Sequence, residues 1–262
     1  MTSPKEKIIR FYSNTEGSEA AIRLTDLAEQ VIKTKKVRLS GFLSPFEMEI
    51  AEAVAANYEG IKVSFDGGYI GAERQRAIIS HSDFSGNAGT EITVVKAEWN
   101  EAFAHLYHRD VLGALMGLGI DRSLLGDLLL SAGSVRILAD KKIAGYLLLN
   151  LTQIGSAKVT CTLDELGEIA PREERSKEIS ATVASLRIDS IAAAGFGISR
   201  SKAAADIEAD KLKLNWQQVK NVSQSVKAGD IISLRGRGRL EVSEIRGQTK
   251  KGRIGVSLTR YY

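Results

Sequence analysis

Residues 185–239 read SLRIDSIAAAGFGISRSKAAADIEADKLKLNWQQVKNVSQSVKAGDIISLRGRGR, and this stretch decides the C-terminal fold. Leu186, Ile188, Ile191 and Ala192 recur at helical spacing, and Gly195 and Gly197 are expected to end that short helix. Ser199 stands where an N-cap belongs, ahead of Arg200, Ser201 and Lys202 and the helix-forming run 203–209. A helix N-terminus presents unpaired N–H groups and a positive dipole end. Arg200 and Lys202 are costly in that first turn unless an anion arrives, and this inversion of the usual acidic preference favours a phosphate partner. Leu212 and Leu214 alternate with Lys211 and Lys213 as a strand, turned at Asn215-Trp216. Residues 226–230 (VKAGD) form a turn into a strand over 231–234, which runs into Arg235-Gly236-Arg237-Gly238-Arg239.

Three motifs within this stretch carry a resemblance: Arg187-Ile188-Asp189, then 198–203 (ISRSKA), then 227–231 (KAGDI). In that order they resemble the RNA-binding module named after the fourth small-subunit ribosomal protein. The resemblance covers about a fifth of the chain. It implies two helices packed on a small sheet, gripping structured RNA with the start of the second helix and a neighbouring turn. Two positions depart from the pattern. Asp210 sits where that family usually has glycine, and Trp216 where a hairpin Asn-Gly is common. Upstream, residues 65–69 (FDGGY) and 108–120 (HRDVLGALMGLGI) resemble the bacterial YlmH family and its plastid and cyanobacterial relatives, a likeness spanning nearly the whole chain.

The totals are compatible with two or three small domains in 262 residues. A single cysteine, Cys161, leaves no disulfide framework and no zinc-finger spacing, which fits a reducing compartment. Residues 1–7 are polar, without the apolar core of a signal peptide. No apolar run is long enough to span a bilayer, so no membrane partner is expected. Charge is distributed unevenly. Residues 182–262 hold 15 Lys and Arg against 7 Asp and Glu, a balance of +8, whereas residues 1–181 hold 21 against 25, a balance of −4. The basic end is the one expected to meet nucleic acid.

The expected architecture is α+β, with four segments. Residues 1–82 form an α/β domain. It has an amphipathic helix over 17–36 and a second helix opened by the capping box Ser44-Pro45-Phe46-Glu47. A strand from Ile61 to Phe65 leads into Asp66-Gly67-Gly68, and a second strand spans about 76–80. The glycines lack the spacing of a nucleotide loop and read as a tight turn; of two readings for Arg74 and Arg76, phosphate contacts or surface charges, the second is expected. Residues 83–170 give strands at 92–97, 128–130, 135–138 and 158–163 with helices at 109–116 and 141–154. The order β-α-β-β-α-β is the ferredoxin-like arrangement shared by the common RNA-recognition domain. That domain reads single strands by stacking bases on sheet aromatics, and the central strands here carry none, so the fold is expected without its usual RNA mode. Residues 171–181, dense in mixed charge, read as a linker. Residues 182–262 form the RNA-binding module with extra strands after residue 240 and a basic turn over 248–253.

Little here points to catalysis. His105 and His108 would share a face if helical, yet no companion ligands have metal-site spacing. His108-Arg109-Asp110 copies the start of a kinase catalytic loop without the asparagine that should follow. Cys161 reads as buried and inert. Leu186-Arg187-Ile188-Asp189 echoes the Arg-Leu-Asp signature of pseudouridine synthases, but Asp189 falls inside the module's first helix, where it is expected to cap that helix or pair with a nearby base. No catalytic residue, cofactor or metal is therefore expected. The alternatives are an RNA-modifying enzyme (pseudouridine synthase or rRNA methyltransferase) or an assembly factor working through protein contacts.

The expected RNA-binding surface comprises Arg187, Ser199, Arg200, Lys202, Lys211, Arg235, Arg237 and Arg239, with the Arg-Gly-Arg-Gly-Arg run read as a contact turn. Trp216 has two readings, stacking on an unpaired base or packing against the module's own sheet. A monomer is expected, cytoplasmic or, for photosynthetic relatives, plastid-stromal, and the resemblance to the YlmH family implies rRNA, tRNA or both as partners. It implies work on the large ribosomal subunit in rescue of stalled translation; relatives in photosynthetic lineages are tied to photosystem assembly.

Overall fold

A computed structural model of the chain describes residues 3–102, 104–168, 176–249 and 252–261. It resolves into two compact units, Met1–Arg172 and Glu173–Tyr262.

In the first unit, α1 (Pro4–Tyr12) and α3 (Pro45–Asn57) open on the same device. Ser3 and Ser44 each accept from the backbone N–H three residues on, Glu6 and Glu47 reach back to the cap, and proline takes the first helical position. The motif at residue 44 announces its helix. Its copy at residue 3, Ser-Pro-Lys-Glu, announces α1, which the periodicity alone does not reveal. Between them, α2 (Ser18–Thr34) buries Ala21, Leu24, Ala28 and Val31, and β1 (Arg38–Leu43) follows. No strand is expected at β1 from sequence, because its alternation is broken by an irregularity between Leu39 and Phe42 that buries Ser40. With β2 (Ile61–Asp66) and β3 (Gln75–His81) it makes a sheet in the order β1-β3-β2, all antiparallel.

The remainder of this unit contains β4 (Ile92–Glu98), α4 (His108–Gly117), β5 (Leu125–Ser131), β6 (Ser134–Asp140), α5 (Ala144–Asn150), the short hairpin β7 (Gln153–Ile154) and β8 (Ala157–Lys158), and β9 (Thr160–Asp164). The sheet order β5-β6-β4-β9, antiparallel throughout, is that of the ferredoxin-like fold. The helix expected over 141–154 is shorter than its apolar pattern. Asp140 caps a single 3-10 turn at Lys141–Ile143, α5 stops at Asn150, and Gly155 at φ 55° turns the β7–β8 hairpin. His105 lies outside α4, which begins at His108, so the two histidines do not share a helix face.

One face of this second sheet packs Val95, Ala97, Val135 and Ile137 against Val111 and Leu115 of α4 and Leu147 of α5. The opposite face, where an RNA-recognition domain would stack bases, is covered by the chain itself. Phe42 of β1, with Tyr69 and Leu166, packs on Ile92, Val94 and Leu138. Gly126 permits the approach: a Cβ there would lie 2.7 Å from Cε1 of Phe42. Arg74 and Arg76, expected as surface charges, belong to this junction. Arg76 is 5% exposed, pairs with Asp140 at 3.1 Å and donates to the Ser40 carbonyl at 2.8 Å. Arg74 donates to the carbonyls of Leu125 and Phe42, and burial lowers its pKa. Asp127 accepts from the Tyr69 hydroxyl and from the backbone N–H groups of Glu73 and Arg74. The Gly-rich turn at 66–74 is thus held against the second sheet.

In the second unit, β10 (Ser176–Val183), α6 (Ile188–Phe196), α7 (Arg200–Glu208), β11 (Leu212–Leu214), β12 (Gln217–Gln218), β13 (Ile231–Leu234), β14 (Gly238–Gln248) and β15 (Ile254–Tyr261) form a six-stranded antiparallel sheet and two helices. Residues 176–181, read from composition as linker, are most of β10, paired with β15 from Ser176↔Tyr261 to Val183↔Ile254. Its charges are those of an edge strand with an exposed face, which composition does not separate from a linker. The rest of the expected linker, 171–175, lies outside the described residues, as do 250–251 of the basic turn. The core joins Ile188, Ile191, Ala192 and Phe196 of α6 to Ala203 and Ile207 of α7 and to Leu212, Ile232, Leu240 and Val256 of the sheet.

Gly197, at φ 64°, is the left-handed cap that ends α6, as expected; Gly195 does not end it. It sits inside the helix, where a Cβ would lie 2.2 Å from Cδ2 and 2.8 Å from Cγ of Leu240. The missing side chain lets α6 settle on β14. Gly195→Ala is expected to lower the stability of this unit by about 1–3 kcal/mol despite alanine's better helix propensity. Chemical denaturation followed by Trp216 fluorescence in a Trp99→Phe background checks this, and an unchanged or raised midpoint would refute the packing account.

Candidate nucleic-acid interface

The loop between α6 and α7 and the start of α7 assemble most of the expected residues. Ser199 caps α7, its Oγ accepting from the Lys202 N–H at 3.1 Å. The costly inversion of charge in the first turn is resolved internally. Arg200 donates to Oδ2 of Asp189 at 2.7 Å, and Lys202 to Oδ1 of Asp206, four residues on, at 2.8 Å. Arg187 lies 3.4 Å from Asp189, and Lys211 3.6 Å from Asp206. Two carboxylates therefore hold four cations.

Burial divides the two sets. The side chains of Asp189 and Asp206 are 8% and 6% exposed, whereas the four cations range from 41% to 51%. The hydrogen bond from Lys202 holds the Asp206 carboxyl below the usual carboxylate range against the opposing effect of burial, and Lys211 adds to this. The signal for Asp206 was present as a Lys-to-Asp spacing of four on a helix face. Asp189, expected to cap α6 or pair with a nearby base, does not cap the helix and pairs with the basic side chains of Arg187 and Arg200.

The remaining residues sit on turns of the adjoining sheet. Residues 235–237 turn β13 into β14, and Arg235 donates its backbone N–H to the Lys211 carbonyl at 2.9 Å, placing this turn beside the Asp206 cluster. Arg235 and Arg237 are exposed, while Arg239, the second residue of β14, is half-buried. Arg260 stacks over Phe196 at the end of α6 and donates to the Arg237 carbonyl at 3.3 Å, tying the same turn to the first helix.

Trp216 is half-buried at the tip of the β11–β12 hairpin. Asn215 and Trp216 adopt φ 48° and 62°, the conformation that Asn-Gly supplies without strain, and Asp210 adopts φ 54°. Both departures from the family pattern therefore fall on left-handed residues. The hairpin is fixed to the 226–230 turn: Asn215 donates to Asp230 Oδ1 and accepts from the Ile231 N–H, each at 2.9 Å. Asp230 in turn accepts from the Lys227 N–H at 2.8 Å.

Among the described residues no three His, Cys, Asp or Glu side chains gather as a metal site. Cys161 is half-buried, with burial raising its pKa, and its Sγ lies 3.3 Å from the Leu151 carbonyl. No helix among these residues is long and apolar enough to cross a membrane.

Three family models match this chain: "YlmH, N-terminal" over residues 16–84, "Putative RNA-binding domain in YlmH" over 86–168, and "S4 domain" over 186–232. A Bacillus subtilis protein named "Ribosome-associated protein quality control protein P2" is 32% identical over 232 residues, covering 86% of this chain and 88% of its own. In fold, the chain is similar to "Cell division protein ylmH from Streptococcus pneumoniae", with a TM-score of 0.53 at 18% identity, over 60% of this chain and 95% of that one.

Proposed function

The chain belongs to the YlmH family, and from that premise we propose that it binds structured RNA, rRNA or tRNA, on the large ribosomal subunit during quality control of stalled translation. The observation that carries this reading is the cluster at the start of α7. Arg187, Arg200, Lys202 and Lys211 stand half-exposed on two buried carboxylates, with Arg235 and Arg237 on the adjoining turn. A surface of this kind neutralises phosphates and sets register, and it selects RNA by shape more than by base sequence. Ser199 fixes the helix start, Arg239 extends the basic turn, and Trp216 offers a ring for stacking worth about 1–3 kcal/mol per base. The relative's name, a ribosome-associated quality-control protein, supports the ribosome as the setting.

The role is binding and not catalysis, carried by one copy of the chain in the cytoplasm or its organellar equivalent. The ferredoxin-like domain contributes to this work by a route other than base stacking on its second sheet face, since Phe42, Tyr69 and Leu166 cover that face. The test is cosedimentation with purified ribosomal subunits across a salt series. The wild type is expected in the large-subunit fraction at low salt, leaving as salt rises, and Arg200→Ala/Lys202→Ala in the supernatant. A wild type that sediments with neither subunit would overturn the ribosomal setting.

A further inference from the structure

We propose that Asp189 and Asp206 are positioning residues for RNA: each buried carboxylate fixes a pair of half-exposed cations, so that RNA meets a set array in place of four mobile side chains. The inference rests on the RNA-binding reading above and concerns how that surface works.

Three observations lead to it. First, the carboxylates oppose the surface's own purpose, since each subtracts a charge from a patch that would attract phosphate better without it. Second, both are almost fully buried, a position unfavourable to an ion unless partners hold it there, and among the described residues their ion-pair partners are cations of this patch. Third, Arg187 is held without spending a hydrogen bond. Its Nε and Asp189 Oδ1 are buried and lack hydrogen-bond partners, and their 3.4 Å separation makes them an ion pair only. Arg187 is therefore restrained by charge at its buried Nε while its side chain as a whole stays 41% exposed.

The physical gain is entropic. Lysine and arginine have the most rotamer freedom to lose on binding, and a carboxylate that has already ordered them removes that loss from the encounter. Two adjoining features share the arrangement. Ser199 locks the first turn from which Arg200 and Lys202 project, and the Arg235 N–H holds the backbone of Lys211. The pairs are also complementary in sequence: Asp189 on α6 orders Arg200 on α7, and Asp206 on α7 orders Lys211 ahead of β11. The array is thus fixed across three elements.

The sign of one substitution separates positioning from simple attraction. Asp206→Asn adds a unit of positive charge, so attraction alone makes it bind RNA more tightly and with a steeper salt dependence. Positioning makes it bind about three- to tenfold more weakly, without a steeper slope. The measurement is filter binding of the full-length chain to RNA extracted from purified large subunits, across a salt series, for wild type, Asp206→Asn, Lys202→Ala/Lys211→Ala and the triple variant. If Asp206 acts through its two lysines, the triple variant binds no more weakly than the double, and Asp206→Glu recovers part of the loss. A merely structural role for Asp206 would weaken the double variant further, and that result overturns the proposal. Should Asp206→Asn melt too early to assay, the parallel set Asp189→Asn, Arg187→Ala/Arg200→Ala and their combination reads the same question on the other carboxylate. A wild type that retains no RNA removes the RNA-binding reading and this inference with it. A wild type that binds, with Asp206→Asn binding equally or more tightly, removes the positioning role alone.

Discussion

Replacing Asp140 by alanine is expected to destabilise the Met1–Arg172 unit by about 3–5 kcal/mol, because it strands the Arg76 guanidinium in the interior. The pair is 3.1 Å apart with side chains 6% and 4% exposed, so neither charge is hydrated if the other is lost. Arg76 lies at the centre of the unit. Its Nε donates to Ser40 of β1 and its Nη1 to the Thr90 carbonyl ahead of β4, its guanidinium lies 5.9 Å from the centre of the Phe42 ring, and its ion pair reaches the end of β6. Asp140 also caps the turn that follows through the Lys142 N–H, a loss of about 1 kcal/mol by itself.

The effect is readable in the full chain because the two tryptophans fall one in each unit. In a Trp216→Phe background, Trp99 fluorescence reports the first unit through chemical denaturation. Arg76→Met/Asp140→Leu is expected to recover most of the loss, since an apolar pair of similar volume needs no charge compensation. A midpoint unmoved by Asp140→Ala would mean that water reaches Arg76, and the closed junction between the two sheets would be wrong.

The second large effect concerns RNA. Replacing Arg187, Arg200, Lys202 and Lys211 together by glutamine is expected to reduce the slope of log K against log salt by about 3, at roughly 0.7–0.9 per phosphate contact. Affinity at 0.1 M salt then falls by about two to three decades, while at 1 M the variant and wild type converge. Replacing four exposed lysines of the first unit, Lys33, Lys36, Lys141 and Lys158, by glutamine changes total charge equally and is expected to leave the slope near the wild-type value. Equal losses in both sets would show that overall charge, and no particular surface, binds the RNA. The variant's fold is checked by its thermal transition, because glutamine leaves both carboxylates unpaired.

The fold was legible where local chemistry is strong. The Ser44 capping box, the Ser199 cap, the Gly197 terminus and the alternation of 212–214 and 231–234 each name an element by its own residues, and the β-α-β-β-α-β order follows from short local patterns. The RNA-binding module and its basic residues were legible for the same reason, since caps, turns and cations are local features. What escaped was set by partners distant in sequence. Ser176–Val183 is a strand only because β15, some 75 residues on, pairs with it, and Gly195 is a packing residue only because Leu240 lies against it.

Arg74 and Arg76 show the limit most clearly. A charged residue after a Gly-rich turn reads as surface, and nothing within ten residues says otherwise; Asp127 and Asp140, brought in by a second sheet, make it interior. Arg200 and Lys202 carry the same lesson. Sequence alone determined that two cations sit in the first turn of a helix, where they need an anion. Tertiary structure decided that the anions are the chain's own Asp189 and Asp206, because only packing α6 on α7 brings Asp189 to Arg200, and only burial turns a spacing of four into a fixed pair.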